Sequence, residues 1–335
     1  MFKGESFVDC MILEIHRMIV YVIHAKSNIS VDTMKNISLI LIVFLLLTFS
    51  LCAQTKRSNF MYQWKNGSKY FGDWENGKMH GEGTYTYGIG RGEGDRYVGE
   101  YMNGIRSGKG IYTWSNGERY VGDFINDLPE GQGTYKFLDG RIYTGEWKRG
   151  NKEGRGTYTY PNGSKFTGEW KNDRRNGQGT FMWGNGDKYV GNWQDGKKEG
   201  LGIYIFKSGS RYTGEWKKGT RNGQGSFTWF SGEKYVGKWR DGLSNGHGIF
   251  SWTGNEKYEG EWKKGKMDGY GIIDFSDGIN YEGQWKNGTR HGEGTLTSAD
   301  GSKWVGEYKN DKIWNITNFD SSGKVVKKWF HGVKQ

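Results

Sequence analysis

Beyond residue 53 this sequence contains no cysteine, since Cys10 and Cys52 both lie upstream of Gln54. A chain beginning at Gln54 carries no thiol, needs no disulfide and can live in an oxidising compartment. A metal-ligand cluster is missing too: the six histidines are scattered, with His80, His247 and His291 in separate stretches and no cysteine to join them. Strings such as GIGRGEG at 88–94 contain Gly-x-Gly, yet no helix follows whose N-terminus could hold a phosphate. Carboxylates are plentiful, but each recurs in step with the repeat described below, and no acid pair breaks that pattern. No catalytic residue, metal or cofactor is therefore expected, which leaves binding as the function class.

Aliphatic residues are also scarce: 34% of the chain is hydrophobic and 16% aromatic, so its apolar surface is mostly Trp, Tyr and Phe. Of the 57 glycines, residues 1–53 hold only Gly4, and they hold no tryptophan. Four basic groups there (Lys3, Arg17, Lys26, Lys35) cancel four acidic ones (Glu5, Asp9, Glu14, Asp32), so the whole formal charge of +11 belongs to the remainder.

What the first 53 residues do have is a signal. From Met34 they read MKNISLILIVFLLLTFSLCAQTKR, a short positive start, an apolar run from Ile37 to Leu51 and a polar exit. This is the build of a secretory signal peptide, with Ala53 before the cut and Gln54 as the new N-terminus; the alternative is a retained membrane anchor over 37–53. Leu51 in front of Cys52 argues against lipid attachment there. Met34 reads as the natural start, which makes 1–33 a mis-called or disordered leader. The protein is thus expected to be exported, to the periplasm, the outer envelope or the medium.

The rest is periodic. Aromatic-x-Gly begins at 70, 97, 120, 143, 166, 189, 212, 235, 258, 281 and 304, with every spacing after the first equal to 23 residues. In YTGEWKRGNKEGRGTYTYPNGSK (143–165), Tyr143, Gly145 and Trp147 share one side of a strand, while Thr144, Glu146 and Lys148 share the other. Gly156, Tyr158 and Tyr160 repeat the alternation, so each repeat predicts two strands of about six residues. Asn162-Gly163, Asp139-Gly140 and their equivalents between repeats favour positive φ and predict tight hairpins there. The connection inside a repeat, with Gly150 and Gly154, reads as the longer one. Glycine at roughly one residue in five, costing about 1 kcal/mol per helical position, excludes a helix.

The expected fold is all-β: an elongated, twisted or curved antiparallel sheet of consecutive hairpins, one repeat domain behind an N-terminal signal or anchor helix. Its parts are a partial repeat at 54–69, ten repeats at 70–303, and a partial repeat with a basic capping hairpin at 304–335. Roughly twenty strands at about 4.8 Å give a ribbon on the order of 95 Å before twist.

Two surfaces are candidates for binding. One is the aromatic face, represented by Tyr143, Trp147, Tyr189, Trp193, Tyr212, Trp216, Tyr235 and Trp239. As stacked rings these form the core of a single sheet; as an open ladder they would floor a groove for sugars or a peptide. The other is a basic surface at the ends of the repeats, formed by Lys165, Lys188, Arg211, Lys234 and Lys257.

With Tyr-x-Gly-x-Trp-x-x-Gly-x-x-x-Gly-x-Gly recurring from 60 to about 314, the chain resembles the MORN-repeat (membrane occupation and recognition nexus) family. The resemblance implies sheets of stacked hairpins that act as non-catalytic modules for membrane association, protein interaction or dimerisation. The expected function is an exported scaffold that binds a protein or an anionic membrane or polymer surface, with homodimerisation as an option. A carbohydrate binder using exposed rings is the alternative, and no nucleic acid is expected.

Overall fold

The computed structural model describes residues 56–335. The expected signal or anchor, its cleavage point at Ala53 and Gln54, and the leader 1–33 lie outside the described residues. Two compact blocks divide the chain, the first through Lys152 and the second from Glu153 to Gln335.

Both are all-β and built by the same rule. In the first, strands from Arg57–Gln63 to Ile142–Lys148 pair antiparallel in chain order. In the second, pairing runs the same way from Thr159 against Lys165 to the C-terminal strands Val325–Phe330 and Val333–Lys334. Consecutive hairpins follow because each strand is joined to the next by only a few residues.

The two kinds of connection are exchanged relative to the sequence reading. Inside each repeat the chain reverses through a two-residue turn with positive φ at both positions, for example Asn172 (47°) and Asp173 (65°), or Lys218 (50°) and Gly219 (93°). These are the mirror-image turns whose twist matches paired strands. The Asn-Gly loops between repeats are the longer ones: Gly163 N–H donates to Tyr160 C=O at 3.0 Å, Tyr160 N–H to Ser164 C=O at 2.8 Å, and of the pair only Gly163 has positive φ. Asn255, standing where other repeats have this glycine, adopts φ 65°.

First strands have seven residues and second strands nine, longer than expected. The additional length contains a bulge. Gly168 faces Gly179, but Trp170 faces Arg175, so the second strand fits two more residues into the same span. Gly177 carries the bulge with φ 68°, and the Glu169 carboxylate accepts the next N–H, from Gln178, at 3.2 Å. Glu215 and Glu100 do the same for Gln224 and Lys109, at 2.7 and 2.8 Å. The acid of the repeated Gly-Glu-Trp is thus a backbone cap as well as a surface charge.

The core is a herringbone of rings on one face. Tyr189 meets Trp193 of its own repeat and Trp216 of the next, both at 5.3 Å and near-perpendicular. Such edge-to-face pairs contribute about 0.5–1.5 kcal/mol beyond area burial. The Tyr189 hydroxyl donates to Asn192 C=O at 3.0 Å, and Trp216 Nε1 to Gly202 C=O at 3.2 Å. Gly202 has to be glycine, because a Cβ there would enter the Tyr189 ring.

Candidate functional site

The eight aromatic residues singled out in the sequence are all core. Tyr143, Tyr189 and Tyr212 are fully buried, Tyr235 is 1% exposed, and Trp147, Trp193, Trp216 and Trp239 are 5–7% exposed. A groove floored by these rings would need them open; instead each covers the next, which corrects the picture of a ladder. Rings that do reach solvent are others, such as Phe230, Tyr270 and Trp229.

The five predicted basic residues open their first strands, one position before the core ring and so on the opposite face. Acids dilute them. Lys188 follows Asp187, Lys234 follows Glu233, and Lys257 is paired with Glu259 at 2.7 Å. Across the eight loops that join repeats in the second block, from 160–165 to 320–325, eight Lys or Arg stand against six Asp or Glu, a net of +2.

The charge surplus sits at the other end of the hairpins. Each within-repeat turn, taken with the strand residue before it and the two after it, spans five residues, from 171–175 to 309–313 in the second block. Over these seven segments sixteen Lys or Arg face four Asp and no Glu, a net of +12. Lysine occupies the left-handed position at Lys218 (φ 50°) and Lys264 (φ 49°), and arginine at Arg149 (φ 49°), where the remaining repeats use Asn or Asp. That conformation costs an ordinary L-residue about 1–2 kcal/mol, and Asn and Asp less.

The turns are fastened to one another. Glu199 accepts the backbone N–H of Lys218 in the following turn at 2.8 Å, and Asp268 that of Asn287 at 3.1 Å. Arg175 and Arg221 donate Nη2 to the carbonyls of Gly196 and Gly242, at 3.1 and 2.7 Å. Between consecutive turns lie open depressions of about 750 Å³, with Lys263, Lys264, Lys266 and Lys286 around Asp268, and about 610 Å³, with Lys217, Lys218, Lys238 and Arg240 around Asp241. A third of about 720 Å³ mixes Lys171 and Arg174 with Asp195 and Glu199.

Next to this edge a row of cations lies across the aromatic face. Arg175 and Arg221 stand 4.5 Å from the Trp193 and Trp239 centroids, and Lys198 Nζ is 3.9 Å from Trp216. Burial lowers the pKa of both arginines, and burial together with neighbouring Arg221 lowers Lys198 to about 8. These residues were missed because the second strand was drawn too short. Carried back to its true start, period-two alternation puts them on the ring face. Among the described residues no group of three or more His, Cys, Asp or Glu could hold a metal ion. The arrangement offers fixed positive charge on a rigid edge, which is the means to bind anions.

The chain matches the family described as MORN repeat over residues 70–90, 97–119, 120–140, 143–165, 166–188, 189–211, 212–234, 235–256, 258–279 and 281–303. No curated protein matches it. Among solved structures it is similar to the TCP domain of SAS-4 from Drosophila melanogaster, in complex with a proline-rich motif of Ana2, at 11% identity. That match covers 51% of this chain and 87% of the other, with a TM-score of 0.30. The TCP10 domain of Danio rerio CPAP matches at 10% identity over 81% and 99% of the two chains, TM-score 0.19. A streptogramin B lyase matches at 14% over 76% and 91%, TM-score 0.14. Likenesses at these scores carry no argument about function.

Proposed function

The chain belongs to the MORN-repeat family, and we propose that it is a non-catalytic binding scaffold whose within-repeat turn edge, in residues 153–335, docks on an anionic surface. MORN repeats are commonly binding or scaffold modules and generally non-catalytic. The observation that carries the finer reading is the net +12 gathered on one set of turns and the ring-face cations next to them, while the loops at the other end carry +2. Lys218 and Lys264 add to it, because a lysine kept where Asn is less strained points to a use for its charge. A basic side chain near an anionic membrane surface contributes about 1 kcal/mol, so a row of them binds strongly even though each member is weak.

The surface is a membrane or polymer reached by an exported protein, in keeping with the signal read at 34–53. Intact mass of the native protein tests the export: a chain beginning at Gln54 supports it, and a chain retaining residues 1–33 counts against it. Co-sedimentation of the full chain tests the docking. Binding to vesicles rich in phosphatidylglycerol, none to phosphatidylcholine, and loss as salt shortens the range of the charges support the proposal. Equal binding to both vesicles, or retention on a neutral glycan instead, would replace it.

A further inference from the structure

The face opposite the rings is ordered in three rows. In the second block the middle row runs from strand to strand through Thr180, Val190, Ile203, Thr213, Ser226 and Val236. Val190, Val236, Ile272 and Val305 of this row are 36–43% exposed. Its two charges, Glu259 and Glu282, are held by Lys257 and the Tyr270 hydroxyl at 2.7 and 2.6 Å. The row toward the loops between repeats holds six Lys or Arg, from Lys165 to Lys303, against Asp274, a net of +5. The row toward the within-repeat turns holds five Glu, from Glu169 to Glu307, against Arg155 and Lys238, a net of −3.

The outer rows are complementary within single strands. Lys165 with Glu169, Arg211 with Glu215, Lys257 with Glu261 and Lys303 with Glu307 stand four residues apart, the base always on the loop side and the acid always on the turn side. The first block repeats this order at Lys69 and Asp73, Arg96 and Glu100, and Arg119 and Asp123. No first strand of either block has it reversed. Capping the bulge accounts for the acids, as at Glu169 and Glu215. It does not require a base at the other border of the face.

We propose that this face of the second block is the interface of a homodimer, with a second copy of the chain laid on it about a two-fold axis that runs across the strands in the plane of the sheet. Such an axis exchanges the two ends of every strand. Each base therefore meets the acid of the same strand in the other copy, twice per dimer, and the middle rows pack on each other. Lys234 facing Lys238 is the one like-charged pair against the four opposite ones. The same axis sets the two strongly basic turn edges on opposite borders, whereas an axis along the strands would put base on base and bring those edges together. Packed sheets lie about 10 Å apart with strands turned by about 30°. Three rows across about fifteen strands amount to on the order of 1,000 Å² from each copy, the size of stable dimer interfaces. The face is distinct from the turn edge, and the pairing does not depend on docking to an anionic surface.

Sedimentation equilibrium of the full chain tests this, and a mass twice that of one chain is expected as concentration rises. Lys165→Glu with Arg211→Glu in one variant, and Glu169→Lys with Glu215→Lys in another, should each weaken self-association about a hundredfold, because every reversal is felt at two places in the dimer. Mixed in equal amounts, the two variants should pair with each other, since reversed then meets reversed and natural meets natural. Thermal unfolding shows that both fold; the second gives up two backbone caps and should melt somewhat lower. A single-chain mass at every concentration, self-association unmoved by both sets of reversals, or a mixture that stays monomeric overturns the inference.

Discussion

The same turns look different in the two blocks. In the second, strand residues flanking a turn are pairs such as Lys171 with Arg174 and Lys263 with Lys266. In the first, the equivalent pairs are Met102 with Ile105 and Ile125 with Leu128, all 40–56% exposed. The first three turns there carry two basic and two acidic residues, and basicity begins only at 148–152. Yet the backbone does not change: every one of these turns has positive φ at both positions, and where a tyrosine opens the repeat, as at Tyr97, Tyr120 and Tyr212, it donates to the carbonyl three residues on. The herringbone fixes the turn and leaves its flanks free, so what is particular about this protein is written at the flanks and not in the restated core.

The most drastic way to break the comparison is to remove the part both blocks share. Tyr212→Ala deletes a fully buried ring that touches Trp216 and Trp239 and leaves a cavity over Gly225. A loss of about 3–5 kcal/mol in denaturant unfolding is expected, as for other buried aromatic truncations. Vesicle binding should fall only where the chain has unfolded. An unchanged midpoint would mean that the rings are not the core.

The second test acts on the edge alone. Lys217→Glu with Lys218→Glu should cost about 2 kcal/mol or more of binding to anionic vesicles, with stability held within about 0.5 kcal/mol. Undiminished co-sedimentation would move the docking surface elsewhere. The reciprocal change makes a first-block turn resemble a second-block one. Ile125→Lys places a charge on an exposed flank and should add up to about 1 kcal/mol of vesicle affinity, least if Met102, Ile105 and Leu128 stand off the surface.

Much of this was legible in advance. The 23-residue period, the two faces and the antiparallel meander follow from residue alternation, because a ring at every second position leaves a lone sheet no other way to bury it. The positions of the turns were not legible in the same way. Asn162-Gly163 is a strong hairpin signal, and it drew the tight turn to the wrong end of the repeat. The real one is hidden under Lys218-Gly219 and Asn172-Asp173, whose first residues are unremarkable as turn formers or whose glycine is absent. Gly177 and Gly223 look like loop glycines but carry a bulge, and with the bulge unrecognised, Arg175, Lys198 and Arg221 had no assigned face. The charge of the edge was visible as a total and invisible as a location, since only the true turn positions separate +12 from +2.

Strain at the left-handed lysines allows a smaller and sharper test. Lys218→Asn retains the backbone N–H held by Glu199 and replaces lysine by a residue that tolerates φ 50°. Stability should rise by about 0.5–1 kcal/mol while vesicle binding weakens. Asn103 and Asn126 already occupy this position in the first block, so Asn103→Lys should do the reverse. If both variants leave stability alone, the left-handed lysines cost nothing and cease to argue for function.

The smallest effect concerns the one member of the basic set whose charge is not secure at mildly alkaline pH. Lys198 over Trp216 has its pKa lowered from 10.5 to about 8 by burial, with Arg221 adding to it. Between those values the unfolded chain holds a proton that the folded chain has released, so this residue makes stability rise with pH across that window. The tyrosines oppose it. Burial raises Tyr70 from 10.0 to about 12, and Tyr189, Tyr212 and Tyr235 are raised as well, so above pH 10 the unfolded chain ionises first and stability falls. A thermal midpoint that climbs between pH 8 and 10 and then drops is therefore expected. Lys198→Met, filling the place as Met267 does three repeats further on, should keep the drop and lose the climb; a climb that survives the substitution would have to come from another group, and Lys198 would then carry a full charge alongside its neighbours on the edge.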